Sequence, residues 1–227
     1  MADRLHRIRF LLGCAAIEKL RASHVMVVGC GAVGSFAIEA LARSGIGHIT
    51  VVDFDTVEES NINRQLFALT STIGMPKVDV AAARIRDINP DIIVTPCKMF
   101  FDAQNAPDVH PDFVIDAIDS VDSKIALYNW CNARKVPFIS SMGAARKTDP
   151  SQIRVGRLSK TSVCPLAAKI RRLARDAHIP DFPVVYSAEP ANPNVAAGRV
   201  FGSIITITGA FGLNCANYAI KSIVERA

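Results

Sequence analysis

The chain has no Cys-x-x-Cys pair. Its six cysteines, at 14, 30, 97, 131, 164 and 215, lack the usual spacing of a structural zinc site, so no structural zinc is expected. There is no internal repeat and no low-complexity segment, which leaves out solenoid arrays and compositional linkers. The opening residues, Met1-Ala2-Asp3-Arg4-Leu5-His6-Arg7-Ile8-Arg9, are too charged for the apolar core of a secretory leader. With free thiols, the expected location is a reducing cytoplasm, peripheral membrane association being left open. No large excess of one charge exists: 26 basic side chains face 21 acidic ones. A net charge of +5 admits a polyanionic partner without requiring one. A single long uncharged run lies between Arg199 and Lys221, but Ser203, Thr206, Thr208, Asn214 and Asn217 interrupt it with three glycines. It is long enough for a membrane span. A strand entering a buried core helix explains it better, and no stable membrane insertion is expected.

What is present is an alternation of short apolar strands with helical periodicity. At 227 residues, half of them hydrophobic, the chain can bury one large α/β core. A short helix is expected over 11–22 and a first strand over Val25–Val28. Helical spacing of Val33, Phe36, Ala37, Ala40 and Leu41 follows, ended by Gly45 and Gly47. Further strands are expected at Ile49–Asp53, Ile92–Thr95, Phe113–Ile118 and Pro137–Ser140. Helices are expected behind Pro76 and over about 121–134. This order predicts a Rossmann-like, doubly wound, mainly parallel α/β sheet with right-handed crossovers. Beyond Met142 the pattern weakens into a C-terminal elaboration. It comprises an added strand near Gln152–Leu158, a basic helix over Leu166–Ala177, and a proline-rich loop over Pro180–Pro193 around a strand at Val184–Ser187. A last helix covers about 206–225. No linker is visible, so 1–227 reads as one domain, with a nucleotide-binding core of about 9–142 and a substrate-side elaboration of about 143–227.

Two stretches carry chemistry. Val25–Val28 runs into Gly29-Cys30-Gly31-Ala32-Val33-Gly34, a strand followed by a glycine-rich turn that opens a helix. Gly29 permits the turn, Gly31 lets a phosphate approach the backbone, and Gly34 permits close helix–strand packing. A phosphate then meets outward-pointing amides and the positive end of the helix dipole. Cys30, inside this loop, reads as a small residue facing the core. Asp53, at the end of the second strand, is the expected ribose partner, with Asp55 beside it. A nicotinamide dinucleotide would be the default ligand of such glycines. Downstream, however, stand Ser60-Asn61-Ile62-Asn63-Arg64-Gln65 and then Gly74-Met75-Pro76-Lys77. Arg64 offers a planar fork, Lys77 a point charge and Asn61 an uncharged donor and acceptor, a set suited to a triphosphate with a bound metal. Alone, Lys77 would be a solvated helix-end lysine. Asp119, in Ile115-Asp116-Ala117-Ile118-Asp119-Ser120, closes the fourth strand where a carboxylate can hold Mg²⁺ or cap a helix.

These motifs together resemble the ThiF/MoeB/HesA family of E1-like adenylating enzymes over roughly residues 9–142. The resemblance implies an E1-like ThiF fold and ATP and Mg²⁺ as cofactors. It also implies ribose binding by Asp53, phosphate binding by Asn61, Arg64 and Lys77, and a metal on Asp119, with Arg64, Lys77 and Asp119 as the catalytic set. It further implies a homodimer in which a partner's N-terminal arginine, Arg9 here, reaches the phosphates. Smaller signals resemble the tRNA threonylcarbamoyladenosine dehydratase branch: Lys160-Thr161, Pro165-Leu166-Ala167, Tyr186-Ser187-x-Glu189 and Phe201-Gly202-Ser203. That branch implies ATP-dependent adenylation of a carboxylate on modified tRNA, then cyclisation. The stretch 178–200 looks compressed for this branch. The alternatives are a sulfur-carrier protein adenylyltransferase, with a carrier or sulfur-transfer protein as partner, and a non-catalytic nucleotide-binding module. The missing Cys-x-x-Cys pairs weigh against the first, and the Asn61, Arg64 and Lys77 set against the second. Cys164, before Pro165 and a helix, is either a thiol made reactive by the helix end or a small packed residue. The basic residues Lys169, Arg171, Arg172 and Arg175, with Arg146, Lys147, Arg154, Arg157 and Lys160, are either tRNA contacts or a solvated face.

Overall fold

A computed structural model describes residues 3–191 and 202–226. In chain order the elements are α1 (His6–Leu12), α2 (Cys14–Ala22), β1 (His24–Val28), α3 (Gly34–Ser44), β2 (His48–Asp53), α4 (Lys77–Ile88), β3 (Ile93–Lys98), β4 (Phe113–Asp116), α5 (Val121–Arg134), β5 (Phe138–Ser141), β6 (Ile153–Arg157), α6 (Pro165–Asp176), β7 (Pro183–Ser187) and α7 (Ile205–Glu225). The strands form one sheet in the order β3-β2-β1-β4-β5-β7-β6. Every pairing is parallel except that of β6 with β7. This is the expected doubly wound sheet, closed on one edge by an antiparallel strand from the C-terminal elaboration.

Burial on both faces explains the unbroken apolar runs of the central strands. Val25 and Val27 of β1 join one core with Ile49 and Val51 of β2, Phe113 and Ile115 of β4, and residues of α3, α4 and α7. Met26 and Val28 point the other way, into a second core with Val52, Val114, Leu127 and Trp130. The two-residue period thus splits each strand between the helix layers. Edge strand β3 is half exposed and carries Pro96, tolerable only where a ladder bond is dispensable.

Three expectations change in detail. The helix over 11–22 is two helices, because the backbone turns at Gly13 with φ of 84°. β4 stops at Asp116 rather than Ile118, since the Asp116 carboxylate accepts a hydrogen bond from Ile118 N (3.0 Å) and turns the chain. Pro76 sits just before α4, not in its first turn. The expected proline-rich loop and the compressed stretch to 200 lie partly outside the described residues, as does Phe201.

The long apolar run becomes α7, packed on α3. A Cβ at Gly212 would stand 2.2 Å from Val33 O, so the helix backbones approach too closely for any side chain there. No described helix is long and apolar enough to cross a membrane.

At the amino end of the sheet, His24 and His48 are directly paired, with rings stacked at 3.6 Å between centroids. Burial, then the His48 charge, lower the His24 pKa to about 4, and burial lowers that of His48. The unfolded chain therefore takes up these protons first as pH falls. Stability is intact above about pH 6.5 and is lost as pH falls toward 4. His24 is only half buried, so after solvent screening its share is on the order of 1 kcal/mol. His24→Gln is expected to flatten the melting temperature between pH 6.5 and 4; an unchanged pH profile would refute the coupling.

Candidate active site

Register brings the chemistry to one edge. Val28 pairs with Val52 on one side and Asp116 on the other, so the β1, β2 and β4 carboxyl ends open side by side. The strand order reverses between β1 and β4, the usual place for a ligand crevice in such sheets. A cavity of about 810 Å³ lies there. Its wall includes Gly29, Gly31, Asp53, Asp55, Asn61, Arg64, Lys77 and Asp119. Eight candidate residues separated by up to ninety positions thus share one space.

The turn after β1 is tightly built. A Cβ at Gly34 would fall 1.7 Å from Gly29 O, so Gly34 is a packing position off the cavity wall. At Gly31 a Cβ would meet only Gln65 Nε2, at 3.8 Å, which leaves the space before this backbone open. The first turn of α3 has no side-chain cap. Ser35 N donates to Gly31 O (3.0 Å), and the positive end of the helix suits an anion. Ser35 Oγ accepts from Leu66 N (3.1 Å) and ties this turn to the Asn61–Gln65 segment.

Asp53 is anchored from both sides. Its carboxylate accepts from Cys30 N (2.6 Å) and Asp55 N (2.9 Å). Burial, then the Asp53 charge, push the Cys30 thiol well up, which keeps it neutral and inert. Lys77, expected to offer a point charge to a phosphate, is buried, and its Nζ donates to Asp55 Oδ2 (2.8 Å). Asn61 is buried too. Its Oδ1 accepts from Glu58 N (3.2 Å), closing the 3-10 turn Glu59–Asn61. Arg64 Nη1 donates to Ser60 O and Asn63 Oδ1 (2.8 Å each), which fixes one arm of the guanidinium fork. Asp119 is exposed on the cavity wall and, among the described residues, makes no hydrogen bond or ion pair. No group of three or more metal-ligating side chains exists among the described residues. A Mg²⁺ here would take one carboxylate, with ligand phosphates and water completing its shell, which is its common mode. Arg9 is not on this wall; on α1 it pairs with Asp3 (2.9 Å).

The other half of the wall belongs to the elaboration: Ser141–Lys147, Cys164, Pro165 and Leu166. Cys164 is buried, and its Sγ accepts from Ala167 N (3.5 Å) as the cap of α6. Glu189 clamps this wall: its carboxylate accepts from Thr148 N and Asp149 N (3.0 Å each), and its carbonyl accepts from Lys147 Nζ. That accounts for the Tyr186-Ser187-x-Glu189 motif. Several basic candidates are committed internally. Arg171 bridges Leu158 O and Thr161 Oγ1, Arg157 pairs with Asp181, and Lys147 is buried. Arg154, Lys160, Lys169, Arg172 and Arg175 remain exposed.

Sequence reasoning missed a buried network beneath the cavity. Asp116 Oδ2 accepts from Lys124 Nζ (2.8 Å), Tyr128 Oη (2.8 Å) and Ser140 Oγ (2.6 Å), all fully buried. Lys124 Nζ also donates to Ser141 O (2.8 Å). Burial, then the Asp116 charge, push the Tyr128 phenol well up, so it stays a donor. The available signal was a lysine inside the apolar face of α5, eight residues after Asp116.

The fold and this cavity define a doubly wound α/β protein with a ligand crevice where the strand order reverses and a second wall from the C-terminal elaboration. More narrowly, the chain belongs to the ThiF family, which matches residues 3–227. It is 47% identical over 178 residues to a tRNA threonylcarbamoyladenosine dehydratase of Bacillus subtilis, covering 77% of this chain and 70% of that protein. With the Escherichia coli enzyme of the same name it shares 38% identity over 96% of this chain and 92% of that one. The crystal structure of the Escherichia coli enzyme in complex with ATP superposes with a TM-score of 0.90, covering 97% of this chain and 93% of that one.

Proposed function

We propose that this protein is an ATP-dependent tRNA threonylcarbamoyladenosine dehydratase, which adenylates the substrate carboxylate and lets it cyclise. The observation that carries the reading is the convergence of Asp53, Asn61, Arg64, Lys77 and Asp119 on one cavity that continues into a separate acceptor wall. The likeness to dehydratases over 77–97% of this chain supports the substrate.

In this reading Asp53 holds the ribose hydroxyls, and Gly31 with the α3 N-terminus cradles the phosphates. Asn61, Arg64 and Lys77 bind phosphate oxygens. Mg²⁺ on Asp119 would neutralise phosphate charge. An oxygen of the substrate carboxylate attacks the α-phosphorus, the bond to the bridging oxygen breaks, and pyrophosphate leaves. Lys77 and Arg64 stabilise the charge that grows on phosphorus oxygens as two anions meet. The substrate's own ureido group then closes on the activated carboxyl carbon and expels AMP, with net loss of water. No enzyme nucleophile is needed.

The chain acts as one domain, its core over about 9–142 and its elaboration over about 143–227 supplying the acceptor wall. Exposed Arg154, Lys160, Lys169 and Arg172 would contact tRNA phosphates in the cytoplasm, which makes turnover salt-sensitive. The decisive experiment is ATP–pyrophosphate exchange with modified tRNA and, separately, with sulfur-carrier proteins, in rising salt. Exchange stimulated only by a carrier protein would overturn the dehydratase reading.

A homodimer belongs to the same reading. Phe10 and Leu11 are each 81% exposed on α1, directly after Arg9, an apolar pair that a second copy would cover. Light scattering at micromolar concentration is expected to give twice the chain mass; a monomer would remove Arg9 from the partner's site.

Cys164 is expected to be dispensable. It is buried, caps α6 and faces no basic side chain that any hydrogen bond records. Cys164→Ser keeps a cap of similar size, so turnover of modified tRNA should stay within about threefold of wild type. A loss of several orders of magnitude, with ATP binding preserved, would mean covalent chemistry at this thiol.

A further inference from the structure

We infer that Ser123 is a substrate-contacting residue, its hydroxyl donating to the carboxylate of the acyl substrate; this rests on the dehydratase reading. Ser123 is 3% exposed, lies on the cavity wall, and its Oγ has no hydrogen-bond partner. Among the described residues, Trp130 Nε1 is the other buried side-chain polar atom in that condition, and Trp130 is not on the wall. A buried hydroxyl without a partner is costly, so a partner that arrives with the ligand is the economical explanation for keeping it.

Its place names the ligand. Ser123 stands one helical turn beyond Asp119, at the third position of α5, whose N-terminus has no side-chain cap. Its neighbour Lys124 donates to Ser141 O (2.8 Å), which holds this turn against the end of β5. Val121 and Ile125 of α5 and Leu166 of α6 pack against the same apolar cluster. Ser123 at the start of α5 and Cys164 and Leu166 at the start of α6 line the same cavity. The nucleotide cradle is built from other elements: the β1–α3 turn, the end of β2 and the start of α4. Ser123 thus shares the cavity with both the Asp119 carboxylate and the proposed acceptor wall. The uncapped N-terminus of α5 and an unpaired hydroxyl donor suit a carboxylate.

The test is Ser123→Ala, read by kcat/KM for modified tRNA, Kd for ATP, and the melting temperature. The expected result is a fall of about tenfold or more in kcat/KM for tRNA, with the ATP Kd unchanged and the melting temperature equal or higher. Unchanged kcat/KM would overturn the proposal. So would an equal loss of ATP affinity, which assigns the hydroxyl to the nucleotide. A lowered melting temperature would show a structural partner and would also overturn it. Wild-type protein that does not turn over modified tRNA would instead defeat the dehydratase reading, upstream of this residue.

Discussion

Lys77→Ala and Asp119→Ala are each expected to lower ATP–pyrophosphate exchange by about a hundredfold or more. That corresponds to about 3 kcal/mol of transition-state stabilisation, the usual cost of removing one charge-stabilising group from a closed site. In the proposed function the two residues act on different parts of the reaction. Lys77 is buried against Asp55, so its ammonium is held in place before the ligand arrives. Asp119 is exposed and unpaired among the described residues, so its carboxylate is available to a cation. Neither residue belongs to a hydrophobic core cluster. Asp55 is 46% exposed at its side chain, and water can replace the lost lysine, so melting should shift by only a few degrees. Retained exchange within threefold of wild type, in a folded variant, would show that the assignment is wrong. ATP Kd separates the roles further: Lys77→Ala should weaken binding as well as turnover, and Asp119→Ala should weaken it only when Mg²⁺ is supplied.

The half of the cavity proposed to take the nucleotide was legible as a cluster because its signals are local. A strand, a glycine turn and a helix follow one another within Val25–Leu41, and Asp53, Asn61, Arg64 and Lys77 fall within twenty-five residues. Parallel register then carries these segments to one edge without further information. The sheet was legible for a related reason: strands buried on both faces must be largely apolar, and β1, β2 and β4 are, apart from Thr50 and polar residues at their ends. The acceptor wall was less legible because its contacts are long-range. Glu189 holds Thr148 and Asp149, about forty residues away, and nothing in either segment announces the other. Charge pattern also misled. Arg171 reads as one member of a basic helix face, yet it ties the Leu158–Thr161 turn to α6. A side chain's commitment depends on which carbonyls the fold leaves open beside it.

The buried network shows the same limit with larger energetic weight. Lys124→Met is expected to destabilise the fold by about 3–5 kcal/mol, the usual cost of leaving one member of a buried ion pair without its partner. For a chain of this size that is a fall of roughly 10 °C in melting temperature. The reason is the environment of Asp116, which is 0% exposed, as is Lys124. Without the ammonium, the Asp116 carboxylate keeps hydrogen bonds from Tyr128, Ser140 and Ile118 but no positive charge. It would then have to take up a proton or admit water. Activity should fall as well, because Asp116 Oδ1 holds Ile118 N at the turn that presents Asp119, and Lys124 holds Ser141 O on the acceptor wall. The double variant Asp116→Asn, Lys124→Met removes both charges and should recover a substantial part of the lost stability, since the isolated carboxylate is gone. Activity should not recover with it, because neither Lys124 nor its bond to Ser141 O is restored. Thermal melts of the two single variants and the double one form the cycle that measures this coupling. A Lys124→Met melting temperature within 2 °C of wild type would refute the network's role in stability. Full recovery of turnover in the double variant would show that the network supports the fold without positioning the site.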